Sequence, residues 1–208
     1  MENYSPVVHD ITLCLLLIAK MIHGLSVKIV NVETAFLYGN LDKEIFMNYP
    51  KGLPHATDQD ALKLQKCIYG LVQAARQYHK NMVEMLKSIG FKGGDIDPCL
   101  YMKRDKNGLI YVDLYVDDNL LIGDEKAIKE TIKALKKASL VLKVYDSLED
   151  YLSCEIKFTN NSQSSWLGQP HLIKKLKAKF RDKVKKLQRY RTPGTPGLNM
   201  VRNSDPQD

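Results

Sequence analysis

Two adjacent aspartates, Asp117 and Asp118, lie between two apolar runs, Leu109 to Val116 and Asn119 to Gly123. Aspartate is rare in strands and two neighbouring ionised carboxylates repel each other, so the pair is locally costly. A divalent cation would offset that cost, because magnesium takes oxygen ligands and can serve phosphoryl transfer. The pair therefore indicates either a metal site or an exposed acidic turn between strands, and the pair alone leaves both open.

A second concentration of charge lies near the C-terminal end of the sequence. From Lys174 to Arg191 there are ten Lys or Arg residues and one acidic residue, Asp182. A basic run of this kind is typical of a surface that binds a polyanion, and nucleic acid is the commonest one inside cells. The other interpretation is a solvated helix face, and charge alone does not decide between them.

Length and composition are those of a folded globular chain of one or at most two domains: 208 residues, 44% hydrophobic and 26% charged, with a net charge of +7. Four cysteines lie too far apart for a zinc-type pair or a short disulfide framework, namely Cys14, Cys67, Cys99 and Cys154. The longest apolar run, Leu13 to Ala19, is too short to span a membrane. We expect an intracellular protein, cytoplasmic or nuclear, that is not secreted.

The elements that must position the aspartates can be predicted from periodicity. Asn107-Gly108 and Asp117-Asp118 each separate two apolar runs, which predicts two consecutive hairpins. Helices are predicted from Ser5-Pro6 to Gly24, from Leu71 to Ile89, from Glu125 to Ala138 and from about Pro170. Further strands are predicted at Val27–Phe36, Leu62–Tyr69, Val141–Tyr145 and Tyr151–Phe158. This mixture predicts an α+β fold, an antiparallel sheet with helices on one face.

Apolar residues recur at helical spacing in two of these helices. In the first helix the residues at helical spacing are Val8, Ile11, Leu15, Ile18 and Ile22. In the basic helix they are Leu172, Leu176, Phe180, Val184 and Leu187. The latter set is expected to pack on the sheet, which would leave five basic residues more exposed for a nucleic-acid backbone: Lys174, Lys175, Lys177, Lys185 and Arg189.

Several short motifs occur together with the aspartate pair. In chain order they are Val32–Leu41, Ile45–Met47, Pro50–Gly52, Ile68–Gln77, Asp97–Tyr101, Tyr115–Asp118, Leu167–Pro170 and Thr192–Pro196. In order and spacing they are similar to the polymerase domain of copia-type retrotransposons, and the match runs from about Ser5 to Gly197. The chain therefore resembles a copia-type reverse transcriptase.

The resemblance implies an RNA-directed DNA polymerase with a palm-like sheet, in which an aspartate on an early strand joins the hairpin pair to hold two magnesium (or manganese) ions. Asp117 and Asp118 correspond to the hairpin pair. Nucleotide and template contacts correspond to Phe36, Gln73, Arg76 and Tyr115. The implied partners are an RNA template, a DNA primer or hybrid duplex, deoxynucleoside triphosphates and other parts of a Pol polyprotein. Residues 1–160 would form partial fingers and the palm, and residues 161–208 a basic, thumb-like helical segment and tail.

One position departs from the family, which carries Asp-Val where this chain has Asn31-Val32. The amide removes a negative charge from a site that must hold two dications, so polymerase activity is expected to be low or absent. Glu33 or Asp113 could supply the missing charge. The chain is also expected to lack the earlier fingers segment and the later ribonuclease H domain. The alternatives are a catalytically inactive nucleic-acid-binding remnant of a transposable element and a relic without function.

Overall fold

The computed structural model describes residues 4–50, 61–146, 148, 151–152, 154–159 and 164–184. Its strands are β1 (Ser26–Val32), β2 (Phe46–Asn48), β3 (Ala61–Lys63), β4 (Lys92–Gly93), β5 (Leu100–Asp105), β6 (Gly108–Tyr115), β7 (Asp118–Gly123), β8 (Leu142–Tyr145), β9 (Glu155–Phe158) and β10 (Ser165–Gly168). Its helices are α1 (Asp10–His23), α2 (Ala74–Ser88), α3 (Glu125–Lys137) and α4 (Pro170–Val184), with a short 3₁₀ helix at Ala35–Tyr38. The chain divides into two compact units, Met1–Gly168 and Gln169–Asp208. The α+β class and the antiparallel sheet are confirmed.

The central sheet has six antiparallel strands in the order β4-β5-β6-β7-β1-β8. Its middle is the pair of hairpins β5–β6 and β6–β7, and both predicted hairpins are confirmed. Gly108 follows the first turn with φ +115°, a conformation that costs glycine little because it has no Cβ. Strand β1 then pairs with β7, so a segment from early in the sequence lies beside the second hairpin.

Helices cover both faces of this sheet, so the prediction that they lie on one face is wrong. Side chains alternate between the two faces along each strand. Val30 and Leu121 pack in one core cluster with side chains of α2 and α3, among them Met82 and Ile128. Their neighbours along the strands pack in a second cluster with Leu13, Leu16 and Leu17 of α1; they include Ile29, Leu120 and Ile122. Strands that are apolar on both sides require cover on both sides.

Helix α1 begins at Asp10, five residues after the predicted start. The Asp97 carboxylate determines this position, because it accepts hydrogen bonds from the backbone N–H of His9 (3.2 Å) and from the Thr12 hydroxyl (2.5 Å). These contacts, with the N–H of Cys99, lower the pKa of Asp97 although its burial acts in the other direction. A carboxylate from another segment therefore holds the N-cap residue His9 and the first turn of the helix, where the sequence had predicted Ser5 as the cap.

The apolar residues whose spacing predicts α1 do not form its buried face. The buried side chains are Thr12, Leu13, Leu16 and Leu17. Of the residues at that spacing, Val8 is buried, and the other four are exposed, namely Ile11, Leu15, Ile18 and Ile22. Because α1 is apolar on nearly all sides, helical spacing selects two stripes equally well, and the position of the sheet decides between them.

Four other elements differ in length from their predictions, among them β9, which starts at Glu155 and not at Tyr151. Strand β1 ends at Val32 because Thr34 adopts φ +53° and the 3₁₀ helix follows. Strand β3 covers only the first part of the predicted Leu62–Tyr69, and α2 starts three residues later than predicted. Helix α3 matches its prediction to within one residue. None of the helices in the described part of the chain has the length and apolar character to span a bilayer.

Candidate active site

Asp117 and Asp118 lie at the tight turn between β6 and β7. Tyr115 and Asp118 are paired across the strands, which leaves Val116 and Asp117 as the two loop residues. Val116 has φ +47°, a conformation that is a genuine outlier for a β-branched residue. Backbone strain of this kind costs about 1–3 kcal/mol and persists only where surrounding contacts hold it. The turn is therefore held by its neighbours in a conformation that its own sequence disfavours.

Those neighbours belong mainly to β1. Asn31 lies opposite Asp118 in the sheet, and its Nδ2 donates a 2.8 Å hydrogen bond to Asp118 Oδ1. The backbone N–H of Val32 donates to the Asp117 carbonyl at 2.8 Å. Asn119 Nδ2 donates to the carbonyls of Val30 (3.3 Å) and Asp117 (3.4 Å). The expected placement of Asn31, on a neighbouring strand with its side chain towards the aspartates, is confirmed.

Four side chains form one row across the sheet. In the order β8, β1, β7, β6 they are Lys143, Asn31, Asp118 and Tyr115, and directly opposed residues project on the same face. Lys143 Nζ lies 2.5 Å from Glu33 Oε1. The hydrogen bond and charge of Glu33 raise the pKa of Lys143. Glu33 follows the end of β1 and pairs with this lysine, so its carboxylate has a partner outside the aspartate pair.

Asp113 lies on the same face of the sheet as Asp118 but is fully buried. Neither of its carboxylate oxygens has a hydrogen-bond partner within the described part of the chain. Burial, and secondarily the charge of Asp97, raises the pKa of Asp113 to about 7. The buried Tyr151 hydroxyl is also unpartnered there, and burial, followed by the charges of Asp113 and Asp118, raises its pKa.

The residues described by the structure contain no group of three His, Cys, Asp or Glu side chains that could hold a metal ion together. Asp117 and Asp118 are thus the carboxylates that the site offers, with the Asn31 amide beside them. The Asn31 side chain presents its donor nitrogen to Asp118, because an amide oxygen there would repel the carboxylate.

Phe36 lies on the 3₁₀ helix that follows β1. Its ring centroid is 4.7 Å from that of Tyr69 and 6.3 Å from that of Tyr78, which it meets edge-on. Tyr78 of α2 is buried, and its hydroxyl lies near the Asn119 side chain without a hydrogen bond of good geometry. Burial raises the pKa of Tyr78, and the approach to Asn119 offsets part of the increase. An aromatic chain thus connects Phe36 with the strand that follows the aspartate turn.

Sequence reasoning missed Asn119 and Tyr78, which support the turn from the side of α2. A signal was present for Asn119, because a buried polar residue inside the apolar run of β7 must find hydrogen-bond partners. Gln73 and Arg76 lie where α2 starts, as their motif requires. Their contact with a nucleotide or template stays a prediction.

A family model described as reverse transcriptase (RNA-dependent DNA polymerase) matches residues 1–184 of this chain. The chain belongs to the reverse transcriptase family. Among curated relatives, the Retrovirus-related Pol polyprotein from transposon TNT 1-94 of Nicotiana tabacum is 33% identical over 86% of this chain. That from transposon RE2 of Arabidopsis thaliana is 30% identical over 75% of it. These names confirm a copia-type reverse transcriptase domain.

This reverse transcriptase domain spans 14% of the length of the tobacco relative and 11% of that of the Arabidopsis relative. No solved structure matches it significantly. The assignment of its segments to fingers, palm and thumb stays a prediction.

The basic segment of this reverse transcriptase domain begins with α4, in the second compact unit. Lys174, Lys175 and Lys177 are exposed on this helix. The side chains of Leu172, Leu176 and Phe180 are more than a third exposed. Their packing on the palm stays a prediction, and Lys185, Leu187, Arg189 and the Thr192–Pro196 motif lie outside the described residues. The side chain of Val184 lies outside the description as well.

Proposed function

We propose that this chain is a segment of an RNA-directed DNA polymerase that acts by two-magnesium nucleotidyl transfer, and that Asn31 impairs this activity. The observation that carries the proposal is the direct opposition of Asn31 and Asp118 on β1 and β7, beside a strained turn that exposes part of two carboxylates. The reverse transcriptase family gives this arrangement its chemistry, which is the transfer of a nucleotide to a primer end.

The donor set at this turn fits one magnesium ion better than two. Magnesium is commonly held by one or two carboxylates together with substrate phosphates, and Asp117 and Asp118 could supply those carboxylates. A second dication needs more negative charge, whereas position 31 offers a neutral amide whose nitrogen donates to Asp118. Bound magnesium would lower the pKa of the primer hydroxyl and stabilise charge on the transferred phosphoryl group. The missing carboxylate therefore removes charge where catalysis depends on it most.

Four side chains would bind the nucleotide and the template. Phe36, held edge-on against Tyr78, would place a bulky ring beneath the incoming sugar and exclude a 2′-hydroxyl. Tyr115 is in the same cross-sheet row as Asp118 and would flank the primer end. Gln73 and Arg76, at the start of α2, would contact the nucleotide and the template strand.

Asn31 also favours a second function, that of a catalytically inactive nucleic-acid-binding remnant of a transposable element. Such a protein needs the basic surface but not the third carboxylate. Exposed lysines of α4, among them Lys174, Lys175 and Lys177, would contact phosphates. Phosphate contacts position a protein without reading base sequence, so binding would tolerate any sequence.

Primer extension on an RNA template tests the polymerase proposal. The chain replaces the matching segment of the tobacco Pol polyprotein, and Asn31 is compared with Asn31→Asp. We expect the Asp form to extend primers at least about 100-fold faster, since each tenfold in rate corresponds to about 1.4 kcal/mol of transition-state stabilisation. Equal rates would mean that Glu33 or Asp113 supplies the charge. Two inactive forms, beside an active unsubstituted tobacco segment, would refute the polymerase proposal.

The salt dependence of nucleic-acid binding tests the second function. Each phosphate contact contributes roughly 0.7 to 0.9 to the negative slope of log affinity against log salt. Changing Lys174, Lys175 and Lys177 together to Gln should flatten that slope by about two to three units. A matched triple change on α3, at Lys126, Lys133 and Lys137, removes the same charge and should leave the slope unchanged. Equal slopes for all three proteins would mean that α4 is a solvated face.

A further inference from the structure

The contact between Asn31 and Asp118 occupies a position where the sheet geometry would otherwise bring two carboxylates together. The two residues are directly opposed on adjacent antiparallel strands, so their side chains lie side by side on one face. Like charges at such a pair are destabilising, whereas an amide donates a charge-assisted hydrogen bond to the carboxylate. The 2.8 Å distance from Asn31 Nδ2 to Asp118 Oδ1 is that of a well-formed bond of this kind.

The same contact is one of three that fix the turn to β1. The Val32 N–H bond to the Asp117 carbonyl holds the loop residue, and the Asn119 bond to the Val30 carbonyl holds the first part of β7. Of these three, the Asn31 bond is the one that reaches the carboxylate itself. All three consist of protein groups alone, and together they oppose the strain at Val116.

We propose that Asn31 is a positioning residue that holds the Asp117–Asp118 turn in place without a metal ion, so that the stability of this domain does not depend on magnesium. An aspartate at position 31 would reverse this, because two opposed carboxylates need a cation between them. The inference rests on the proposed function in one respect, that magnesium is the ion of this site. It predicts that Asn31, which impairs polymerisation, also makes the stability of the turn independent of magnesium.

Thermal unfolding of the 208-residue chain in EDTA and in millimolar magnesium tests the inference. For wild type we expect midpoints within about 1 °C of each other, because two carboxylates and an amide hold magnesium only weakly without substrate phosphates. Asn31→Asp should unfold about 5 °C lower in EDTA and recover most of that loss with magnesium, which binds the folded state. Asn31→Ala should be lower in both solutions, with no recovery. Asn107→Asp adds the same charge at the opposite end of β6 and should show no response to magnesium.

A reciprocal exchange separates the hydrogen bond from other effects of the substitution. The double variant Asn31→Asp with Asp118→Asn keeps one amide and one carboxylate at the opposed pair. We expect its midpoint in EDTA to return to within about 2 °C of wild type, since the bond then runs in the other direction. A double variant as unstable in EDTA as Asn31→Asp would overturn the inference.

Three further outcomes would overturn the inference. The first is a wild-type midpoint that rises with magnesium as much as that of Asn31→Asp. The others are an Asn31→Asp variant that is as stable as wild type in EDTA, and an Asn31→Asp variant that stays unfolded with magnesium. If Asn31→Asp is unfolded in EDTA, folding on addition of magnesium, followed by circular dichroism, supports it. None of these readouts uses primer extension, so the polymerase proposal can fail while this inference holds, and the reverse.

Discussion

The two ends of strand β6 are both two-residue turns, yet they are built differently. At the start of β6, the residue with a positive φ is Gly108. The Asp105 carboxylate there accepts a hydrogen bond from the Asn107 N–H at 2.7 Å and forms an ion pair with Lys103 at 3.1 Å. At the end of β6, Val116 takes the positive φ. Near that end, Asp113 and Tyr151 carry buried polar atoms with no hydrogen-bond partner in the described part of the chain.

The difference separates a turn that its own residues stabilise from a turn that distant contacts hold in place. The first has the residue types that its geometry favours, and its polar groups are satisfied locally. The second depends on contacts from β1 and β7, and it keeps strain and unsatisfied groups that a purely structural turn would lose. Substitutions at the two ends should therefore change stability in opposite directions.

The largest effect is expected at Asp113, through its pH dependence. Its pKa is raised to about 7 in the folded protein, chiefly by burial, from the 3.8 of an ordinary aspartate. Between these values the folded state keeps a proton that the unfolded chain releases, so stability is highest at low pH and falls as pH rises towards 7. From pH 5 to pH 8 the loss should be about 3 kcal/mol. Asp113→Asn should remove it, measured by urea unfolding at several pH values. A variant with the wild-type pH slope would contradict this assignment.

The next largest effect is expected from Gly108→Val, in the turn at the start of β6. A Cβ at Gly108 would overlap the Asp124 carboxylate, which accepts the Leu109 N–H at 2.7 Å. Together with the disfavoured φ, this should lower the free energy of unfolding by about 2 kcal/mol, measured by urea unfolding. Adding Asp124→Gly removes every overlapping atom, the Asp124 Cβ included, so the double variant should lose less than the sum of the two single losses. Strictly additive losses would show that strain alone is responsible.

The smallest effect is expected from Val116→Gly, in the strained turn at the end of β6. Glycine relieves the positive φ but adds freedom to the unfolded chain, so we expect a net gain of about 1 kcal/mol in the free energy of unfolding. The same change at Val144, on edge strand β8 without a positive φ, should instead destabilise by a similar amount. If both variants lose stability equally, Val116 is not strained and the contrast between the two turns fails.

Local patterns were sufficient for the parts of the molecule that local physics determines. Asn107-Gly108 predicts the first hairpin because tight hairpin turns require a positive φ, which Asn and Gly adopt more readily than other residues. The spacing in Glu125–Ala138 predicts α3 because that helix is apolar on one side only. The motif order predicted that Asn31 would face the aspartates. The family resemblance implied this pairing of two distant strands, which no local pattern could have predicted.

Other features depend on contacts between distant segments. The start of α1 is determined by Asp97, and its buried stripe by the position of the sheet, neither of which can be read from a helix that is apolar on nearly all sides. The continuous apolar run of β7 was an overlooked signal that both faces of the sheet are covered. Tyr78 carries no signal in the sequence, because a tyrosine at helical spacing is compatible with any core position.

The order of strands in the sheet has a consequence for the sequence of events in folding. Strands β5, β6 and β7 form a meander whose pairings join residues close in the chain, so they can assemble early. Asn31 and Asp118, by contrast, are 87 residues apart, and their contact requires closure of that long loop. We expect the amides of β1 to become protected from hydrogen exchange after those of β6. The β6–β7 hairpin can thus form before β1 pairs with β7. The contact between Asn31 and Asp118 forms only after β1 has joined the sheet.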